Sequence, residues 1–303
     1  MNRSIRIGTR DSELALWQAN TVKTALEKLG HSAELVPVKS QGDLNLDQPL
    51  YEMGITGIFT KTLDIAMITG NIDIAVHSMK DVPTLLPKGI VEAAVLKRAN
   101  SGDVLIHKGL DFLDSEGTIA TGSLRRTAQW LNRYPNHKVV DLRGNINTRL
   151  KKLEQSHWNG AIFAAAGLER IDLKPSDNLE LNWMLPAAAQ GAMLVVVLEK
   201  DDYCRKITSA LNHSETEICV HIEREFLRTL EGGCTAPIGA FAEIKGDEIQ
   251  FRGGLYSLDG KQKSETEKTV SLNEATGLGK RCAEEVLKNG GHEIMKEIRK
   301  VLN

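Results

Sequence analysis

Apolar positions along this 303-residue chain switch repeatedly between a two-residue and a 3.6-residue period, and each switch marks an element. Ile5 to Gly8 reads as a short strand. Leu14, Trp17, Thr21, Val22, Ala25, Leu26 and Leu29 then recur at helical spacing, with Asp11 or Ser12 placed to cap the start. Ala33 to Val38 returns as a strand, so the order strand–loop–helix–strand predicts a parallel sheet. Residues 41–57 are polar and broken by Gly42, Pro49, Gly54 and Gly57, a connection of the length that is functional or mobile in compact domains. A helix is expected from Ile58 to Thr69, then strands over 71–76 and 90–96.

A polar stretch at 97–103 marks a boundary, after which the pattern starts again. Strands are expected at 103–107, 118–121, 138–142 and 161–165, with helices at 123–133 and 145–157. Met193 to Leu198 is apolar without interruption, as in a strand buried on both faces, and its place suggests a return to the first domain. Residues 201–211 read as a helix. Ser214-Glu215-Thr216-Glu217 has the form of a capping box, opening a helix with Ile218, Ile222, Phe226 and Leu230 on one face. Strands at 238–244, 248–256 and 266–271 follow, the last two joined at Asp259-Gly260, and helices at 273–289 and 292–302 close the chain. The expected class is α/β: two sheet-and-helix lobes, then a small α+β domain with a three-stranded antiparallel sheet. The expected domains are 1–97 with 192–211, 98–191, and 212–303.

Composition narrows the function. A formal net charge of -2 argues against a nucleic-acid binder that relies on bulk positive charge, so an anionic partner must be met by a local cluster. No apolar run approaches the roughly 18 residues of a membrane span, and Ser4 to Gly8 already reads as strand instead of signal peptide. A cytoplasmic protein without membrane contact is expected. Cys204, Cys219, Cys234 and Cys282 are widely spaced with no Cys-x-x-Cys pair, which gives neither a zinc signature nor a disulfide framework, and no metal is expected. Three of the four fall in helix-like runs and read as core. Cys234 differs, because Glu231-Gly232-Gly233-Cys234-Thr235-Ala236-Pro237 places it on a short bent loop.

The charge gathers where strands end. Arg10 follows the first strand beside a helix start, and Arg125, Arg126, Arg143 and Arg149 occupy similar places in the second set. Strand ends of a parallel sheet share one rim, helix N-termini favour anions, and guanidinium groups grip carboxylates with two donors. His77-Ser78-Met79-Lys80-Asp81-Val82-Pro83 also follows a strand, which puts Lys80 and Asp81 in a favoured position for a site. Two readings fit the arginine rim alone: an enzyme acting on a polyanion, and a two-lobed binding protein for small carboxylates or phosphates. A thiol enzyme using Cys234, with a distant base such as His77, is a third.

Taken together these stretches resemble the porphobilinogen deaminase family over nearly the whole chain. The resemblance rests on Arg10-Asp11-Ser12, Ala15-Leu16-Trp17-Gln18, Gly57-Ile58-Phe59-Thr60-Lys61 and the 77–83 heptapeptide. It continues through Ser123-Leu124-Arg125-Arg126, Leu142-Arg143-Gly144-Asn145 with Thr148-Arg149, Gln190-Gly191 and Leu230-Glu231-Gly232-Gly233-Cys234. It implies two lobes like those of periplasmic binding proteins, a third domain carrying the cysteine, and a monomer. It implies a transferase that joins porphobilinogen units head to tail on a dipyrromethane cofactor, held by a thioether to Cys234. Asp81 is the implied catalytic carboxylate. Arg10, Ser12, Lys80, Ser123, Arg125, Arg126, Arg143, Arg149 and Arg170 are the implied carboxylate-binding set, with Phe59 and Gln18 packing the site.

The implied chemistry accounts for these residue types. Loss of ammonia from an aminomethylpyrrole leaves an electrophile whose positive charge spreads over the pyrrole nitrogen, and a carboxylate aimed there stabilises it. Every ring carries acetate and propionate, so the growing chain is a polyanion and calls for arginine. Four positions depart from the family pattern: Thr56, Gly122 before Ser123, Asn147, and Ala189 where glycine is frequent.

Overall fold

The computed structural model describes residues 3–38, 60–230 and 236–302. The loop 231–235 with Cys234, and the segment 39–59 with Thr56 and Phe59, lie outside the described residues. Within the described residues the chain forms two compact units. One takes in the first lobe through Ala99 and the return Gly191–Glu217, and the other takes in Asn100–Gln190 and the C-terminal part from Ile218.

In the first unit, β1 (Ile5–Thr9), β2 (Ala33–Pro37), β3 (Ile74–Ser78) and β4 (Ile90–Val95) come from the N-terminal part of the chain. The second unit supplies β5 (Asp103–His107), β6 (Thr118–Ala120), β7 (Lys138–Val140), β8 (Gly160–Ala164) and the two-residue β9 (Leu179–Glu180). The chain then returns to the first sheet as β10 (Met193–Leu198). The sheet orders are β2-β1-β3-β10-β4 and β7-β6-β8-β5-β9.

These sheets are mixed, whereas the sequence predicts parallel ones. β1 runs parallel to β2 and β3, and β6 parallel to β7 and β8. β10 is antiparallel to both β3 and β4, and β5 to both β8 and β9. The reason lies in the connections: strand–helix–strand crossovers build the parallel half, and a strand arriving from elsewhere in the chain enters reversed. The two sheets thus share one plan, with β6, β7, β8, β5 and β9 in the places of β1, β2, β3, β10 and β4. No sequence repeat announces this duplication.

Each sheet is covered on both faces. Ile5, Ile7, Ile74, Val76, Val195 and Val197 pack on the helices Glu13–Lys28 and Asp202–Thr208 through Ala19, Val22, Leu26, Cys204 and Ile207. The apolar run at 193–198 is buried on both sides as its composition predicts. In the second unit Trp130, wholly buried on the helix Leu124–Arg133, packs with Leu105, Ile119 and Ile162, while Leu153 of the helix Ile146–Gln155 covers the other face with Val104 and Phe163.

The C-terminal part is the expected antiparallel sheet, β11 (Ile238–Lys245), β12 (Glu248–Tyr256) and β13 (Lys263–Ser271), in the order β11-β12-β13. Its core joins Phe226, Ile222 and Leu230 to Phe251, Leu255, Cys282 and Ile298. Gly279 is required there: a Cβ would sit 2.1 Å from the Ile222 carbonyl oxygen, so the helices Leu278–Val286 and Ser214–Thr229 cross in backbone contact.

Two helix starts differ from the sequence reading. Ser214 is the first helical residue and not the cap; the His213 ring instead accepts the Thr216 N–H through Nδ1 at 3.2 Å. The helix expected from 273 begins only at Leu278, because Gly277 at φ +71° breaks the run after a short turn at Leu272–Glu274. No helix of the described residues is long and apolar enough to cross a membrane.

Candidate functional site

In the first unit the candidate residues sit at the carboxyl ends of β1 and β3, which are parallel neighbours. Thr9 is wholly buried, and its hydroxyl donates to the Arg10 and Ala15 carbonyls, which fixes the turn from strand to helix. Ser12 occupies the N-cap position of the helix Glu13–Lys28, yet its hydroxyl makes no capping bond. Arg10 and Ser12 are both half-buried. Gln18, one and a half turns into that helix, is buried and donates through Nε2 to the Ser78 hydroxyl at 2.8 Å. Gln18 therefore braces the end of β3.

From Ser78 the chain enters a single tight turn, Met79–Asp81, pinned by the Met79 N–H to the Ala192 carbonyl at 3.0 Å and closed by the Val82 N–H to the Met79 carbonyl at 3.1 Å. Met79 and Val82 are buried, so the two residues between them are turned outward: Lys80 and Asp81 are half-buried. His77 is buried, and burial together with the Arg10 charge pushes its pKa down to about 4. Its Nε2 has no hydrogen-bond partner among the described residues. His77 is thus a neutral interior imidazole. On the helix Lys61–Ile68, Asp64 is buried as well, and burial lifts its carboxyl to about 6 against a hydrogen bond from Thr60.

In the second unit the arginine pair is held inside. Arg125 and Arg126 are 4% and 5% exposed, and both meet Asp103, which is completely buried at the first position of β5. Arg125 Nη1 donates to Asp103 Oδ2 at 2.7 Å and to the Leu185 carbonyl at 2.6 Å. Arg126 reaches Asp103 Oδ1 through Nε at 3.0 Å and Nη2 at 2.8 Å, and its Nη1 donates to the Ile162 carbonyl at 3.0 Å. Gln190 completes the cluster by donating to Asp103 Oδ1 at 2.9 Å. Burial alone would raise the pKa of Asp103, but the two guanidinium charges hold it well below the carboxylate range. The Arg125 Nε–H is buried with no partner among the described residues.

Ser123 is the N-cap of the helix carrying this pair and, like Ser12, leaves its hydroxyl uncommitted to the cap. Gly122 just before it has a packing reason. A Cβ there would lie 2.7 Å from the Leu142 carbonyl oxygen, so glycine fits where the two loops touch and a larger residue would force them apart. Arg143 is buried, and its carbonyl accepts from Lys152 Nζ at 3.2 Å. Asn145 caps the helix Ile146–Gln155 by accepting the Thr148 N–H at 2.9 Å, and Arg149 donates through Nε to the Gly144 carbonyl at 2.7 Å. Asn147 lies exposed on the first turn of that helix. Arg170 follows the short helix Ala165–Glu169, and burial lowers its pKa despite the adjacent Glu169.

Each unit therefore gathers its own set. Arg10, Ser12, Gln18, Lys80 and Asp81 converge at the ends of β1 and β3; Ser123, Arg125, Arg126, Arg143 and Arg149 sit at the helix starts following β6 and β7. Sequence reasoning missed Asp103 and Glu223. Both are acids at positions where the flanking pattern is apolar or core-facing, and that mismatch was the available signal. The thiols of Cys204 and Cys282 are pushed up by burial to about 12 and about 11, and Cys219 is buried too, so these three are core residues as expected.

Comparison with known proteins places the chain in a family along nearly its whole length. The family profile described as "Porphobilinogen deaminase, dipyromethane cofactor binding domain" matches residues 5–206, and "Porphobilinogen deaminase, C-terminal domain" matches residues 217–288. The chain is 41% identical over 306 residues to the porphobilinogen deaminase of Desulforamulus reducens, covering 99% of each. It is 40% identical over 310 residues to that of Carboxydothermus hydrogenoformans, covering 100% of each. Among solved structures it is similar to an ABC transporter periplasmic substrate-binding protein from Coxiella burnetii, at 16% identity and a TM-score of 0.43, covering 68% of this chain and 91% of that one.

Proposed function

Because this chain belongs to the porphobilinogen deaminase family, we propose that Cys234 anchors its dipyrromethane group and that Asp81 is the catalytic carboxylate. The chain is a transferase of tetrapyrrole biosynthesis. It joins four porphobilinogen molecules head to tail, each losing ammonia, and water then releases the chain as linear hydroxymethylbilane.

The observation that carries the reading is the donor set of the second unit. Arg125 keeps a buried Nε–H without a partner among the described residues, and burial lowers the pKa of Arg170. A dipyrromethane bears acetate and propionate on each ring, and such a carboxylate supplies the acceptor that the Arg125 Nε–H lacks among the described residues. When bound, the group supplies the pyrrole α-carbon to which the first substrate unit is joined, and the thioether to Cys234 keeps it in place between rounds. In the second unit Arg143 and Arg149, with the Ser123 hydroxyl, offer further carboxylate donors, and in the first unit Arg10, Lys80 and the Ser12 hydroxyl offer a set of their own.

Asp81 acts on charge. As the carbon–nitrogen bond of the substrate's aminomethyl group breaks, ammonia leaves with the electron pair, and positive charge spreads over the pyrrole. The Asp81 carboxylate accepts the pyrrole N–H and stabilises that charge; after the new carbon–carbon bond forms, a proton leaves the α-carbon, and a nearby carboxylate can receive it. Gln18 and the Met79 N–H hold the turn that presents Asp81. We further read the protein as a cytoplasmic monomer with domains at 1–97 plus 192–211, 98–191 and 212–303. His77, buried and neutral, is a poor base for a thiol and does not favour a cysteine-nucleophile enzyme.

Intact-protein mass spectrometry tests the anchor. The wild-type protein should carry an excess mass of two pyrrole units that Cys234→Ala lacks. An unmodified wild-type protein with full activity would overturn the assignment.

A further inference from the structure

Asp103 has no exposure, and the strand it opens continues Val104-Leu105-Ile106. A carboxylate placed there carries a large desolvation penalty and persists only where donors surround it. Four donor atoms do: Nη1 of Arg125, Nε and Nη2 of Arg126, and Nε2 of Gln190. Arg125 and Arg126 are sequence neighbours of like charge, and without an anion between them they would repel and take separate rotamers. Asp103 removes that freedom. It also reduces the charge of the pair from two to one, so the pair attracts a carboxylate without holding it irreversibly. The bonds divide the two arginines unequally. Arg126 is fastened by all three of its nitrogens, whereas Arg125 is fastened by Nη1 alone and keeps its Nε edge without a partner among the described residues.

We propose that Asp103 is a positioning residue for the reaction: it fixes the planes of the Arg125 and Arg126 guanidinium groups and leaves the Nε edge of Arg125 to meet a carboxylate of the pyrrole chain. The proposal rests on the reading that these arginines bind pyrrole carboxylates. Gln190 belongs to the same device, because its amide ties Asp103 Oδ1 to the Ser101 carbonyl at 2.8 Å and so fixes which oxygen each arginine receives. The effect is preorganisation. Bidentate recognition of a carboxylate needs a guanidinium already in plane, and a mobile one binds with loss of side-chain freedom.

The test compares Asp103→Asn, Asp103→Glu and Arg125→Lys in the full chain. Thermal midpoint and circular dichroism report folding. KM and kcat for porphobilinogen are measured on primer-loaded protein, and the thermal shift caused by porphobilinogen is measured in a Cys234→Ser background that carries no primer. Asp103→Asn should raise KM about tenfold or more while changing kcat only about two- to threefold, and should abolish the thermal shift. Asp103→Glu keeps the charge but displaces it by one methylene, so its KM should lie between wild type and Asp103→Asn. If Asp103→Asn does not fold, Asp103→Glu carries the test: a folded protein with KM raised severalfold supports the proposal, and a wild-type KM with an undiminished thermal shift overturns it. Arg125→Lys separates the two claims. Impaired Arg125→Lys with both Asp103 variants unimpaired overturns the positioning role alone, whereas wild-type behaviour of Arg125→Lys overturns the reading beneath it.

Discussion

The buried carboxylate of Glu223 accepts the backbone N–H of Ala189 at 2.7 Å, and with its other oxygen it accepts the N–H of Ala242 at the same distance. One side chain on the helix Ser214–Thr229 thus holds both the segment that ends the second lobe and the first strand of the C-terminal sheet. The same segment is gripped at Leu185, whose carbonyl accepts from Arg125 and Gln129 and whose N–H donates to Gln129. The helix so anchored leads directly into the cysteine loop.

Glu223→Gln tests that clamp. An amide has one acceptor oxygen, so one of the two N–H groups would face an NH2 donor in a wholly buried site. A buried donor left unsatisfied costs about 1–3 kcal/mol. The expected outcome is a folded protein with a thermal midpoint several degrees lower, measured by calorimetry. A midpoint equal to wild type would show that the two bonds contribute nothing net.

Ala189 itself carries a second prediction. It is wholly buried and holds φ at +62°, a left-handed conformation that costs an L residue roughly 1–2 kcal/mol and that glycine adopts freely. Ala189→Gly loses a buried methyl and gains unfolded-state entropy, worth about 1–2 kcal/mol together, but relieves that strain. The two effects offset, so the substitution should be neutral within about 0.5 kcal/mol. Ala240→Gly, at an equally buried strand position without positive φ, has no such relief and should lose about 1–2 kcal/mol. Equal losses at both positions would refute the strain argument. It also explains why glycine suits position 189 better than a general preference for small residues would.

The sequence carried the order and type of the long elements because their periods are strong. The helix from Glu13 repeats Leu14, Trp17, Val22, Ala25 and Leu26 at helical spacing, and Met193–Leu198 is apolar throughout. Strand direction was not legible, since the reversal of β5 and β10 depends on pairing with strands distant in sequence, Asp103 opposite Ala164 and Met193 opposite Ser78. Nor was β9, whose two residues carry no period. In the candidate site the residue types were legible through the motif stretches, but their state was not. Arg125 and Arg126 read as carboxylate ligands on the rim of a sheet, and only the fold reveals that a wholly buried Asp103, over twenty positions earlier, already holds them. Capping failed for a similar reason: His213 competes with Ser214 for the same helix start, and ring geometry decides between them.

Two buried groups give the stability opposing pH dependences. His77 has a folded pKa of about 4 against 6.5 for the free side chain, so the unfolded chain takes up a proton that the folded one refuses. That contribution is fully present above pH 6.5 and is lost as pH falls toward 4, by at most about 3 kcal/mol. Asp64 runs the other way. Its folded pKa of about 6 lies above the 3.8 of the free side chain, so its contribution is present below 3.8 and is lost as pH rises through 6. Asp64→Asn should therefore stabilise the protein by roughly 1–2 kcal/mol at pH 7.5 and expose a steeper decline between pH 6.5 and 4. Denaturation midpoints across pH 4–8 decide it; a variant no more stable than wild type at pH 7.5 would refute the burial argument for Asp64.

Asp81 gives the sharpest functional prediction, because its proposed role depends on charge while its environment makes little structural demand. It is half-buried on a turn whose fixed points are the buried neighbours Met79 and Val82 and the Met79 backbone N–H. Asp81→Asn preserves size and shape, so its unfolding free energy should stay within about 1 kcal/mol of wild type. The amide cannot hold a negative charge against the positive pyrrole or accept a proton, and removing such a group costs about 100-fold or more in kcat. Asp81→Glu keeps the charge at the wrong reach and should fall between the two. Intact-mass spectra recorded during turnover give an independent measure: with porphobilinogen added, wild type should pass through bound species each one pyrrole unit heavier, and Asp81→Asn should remain at its starting mass. A near-normal rate for Asp81→Asn, with the same ladder of masses, would place the chemistry on another residue.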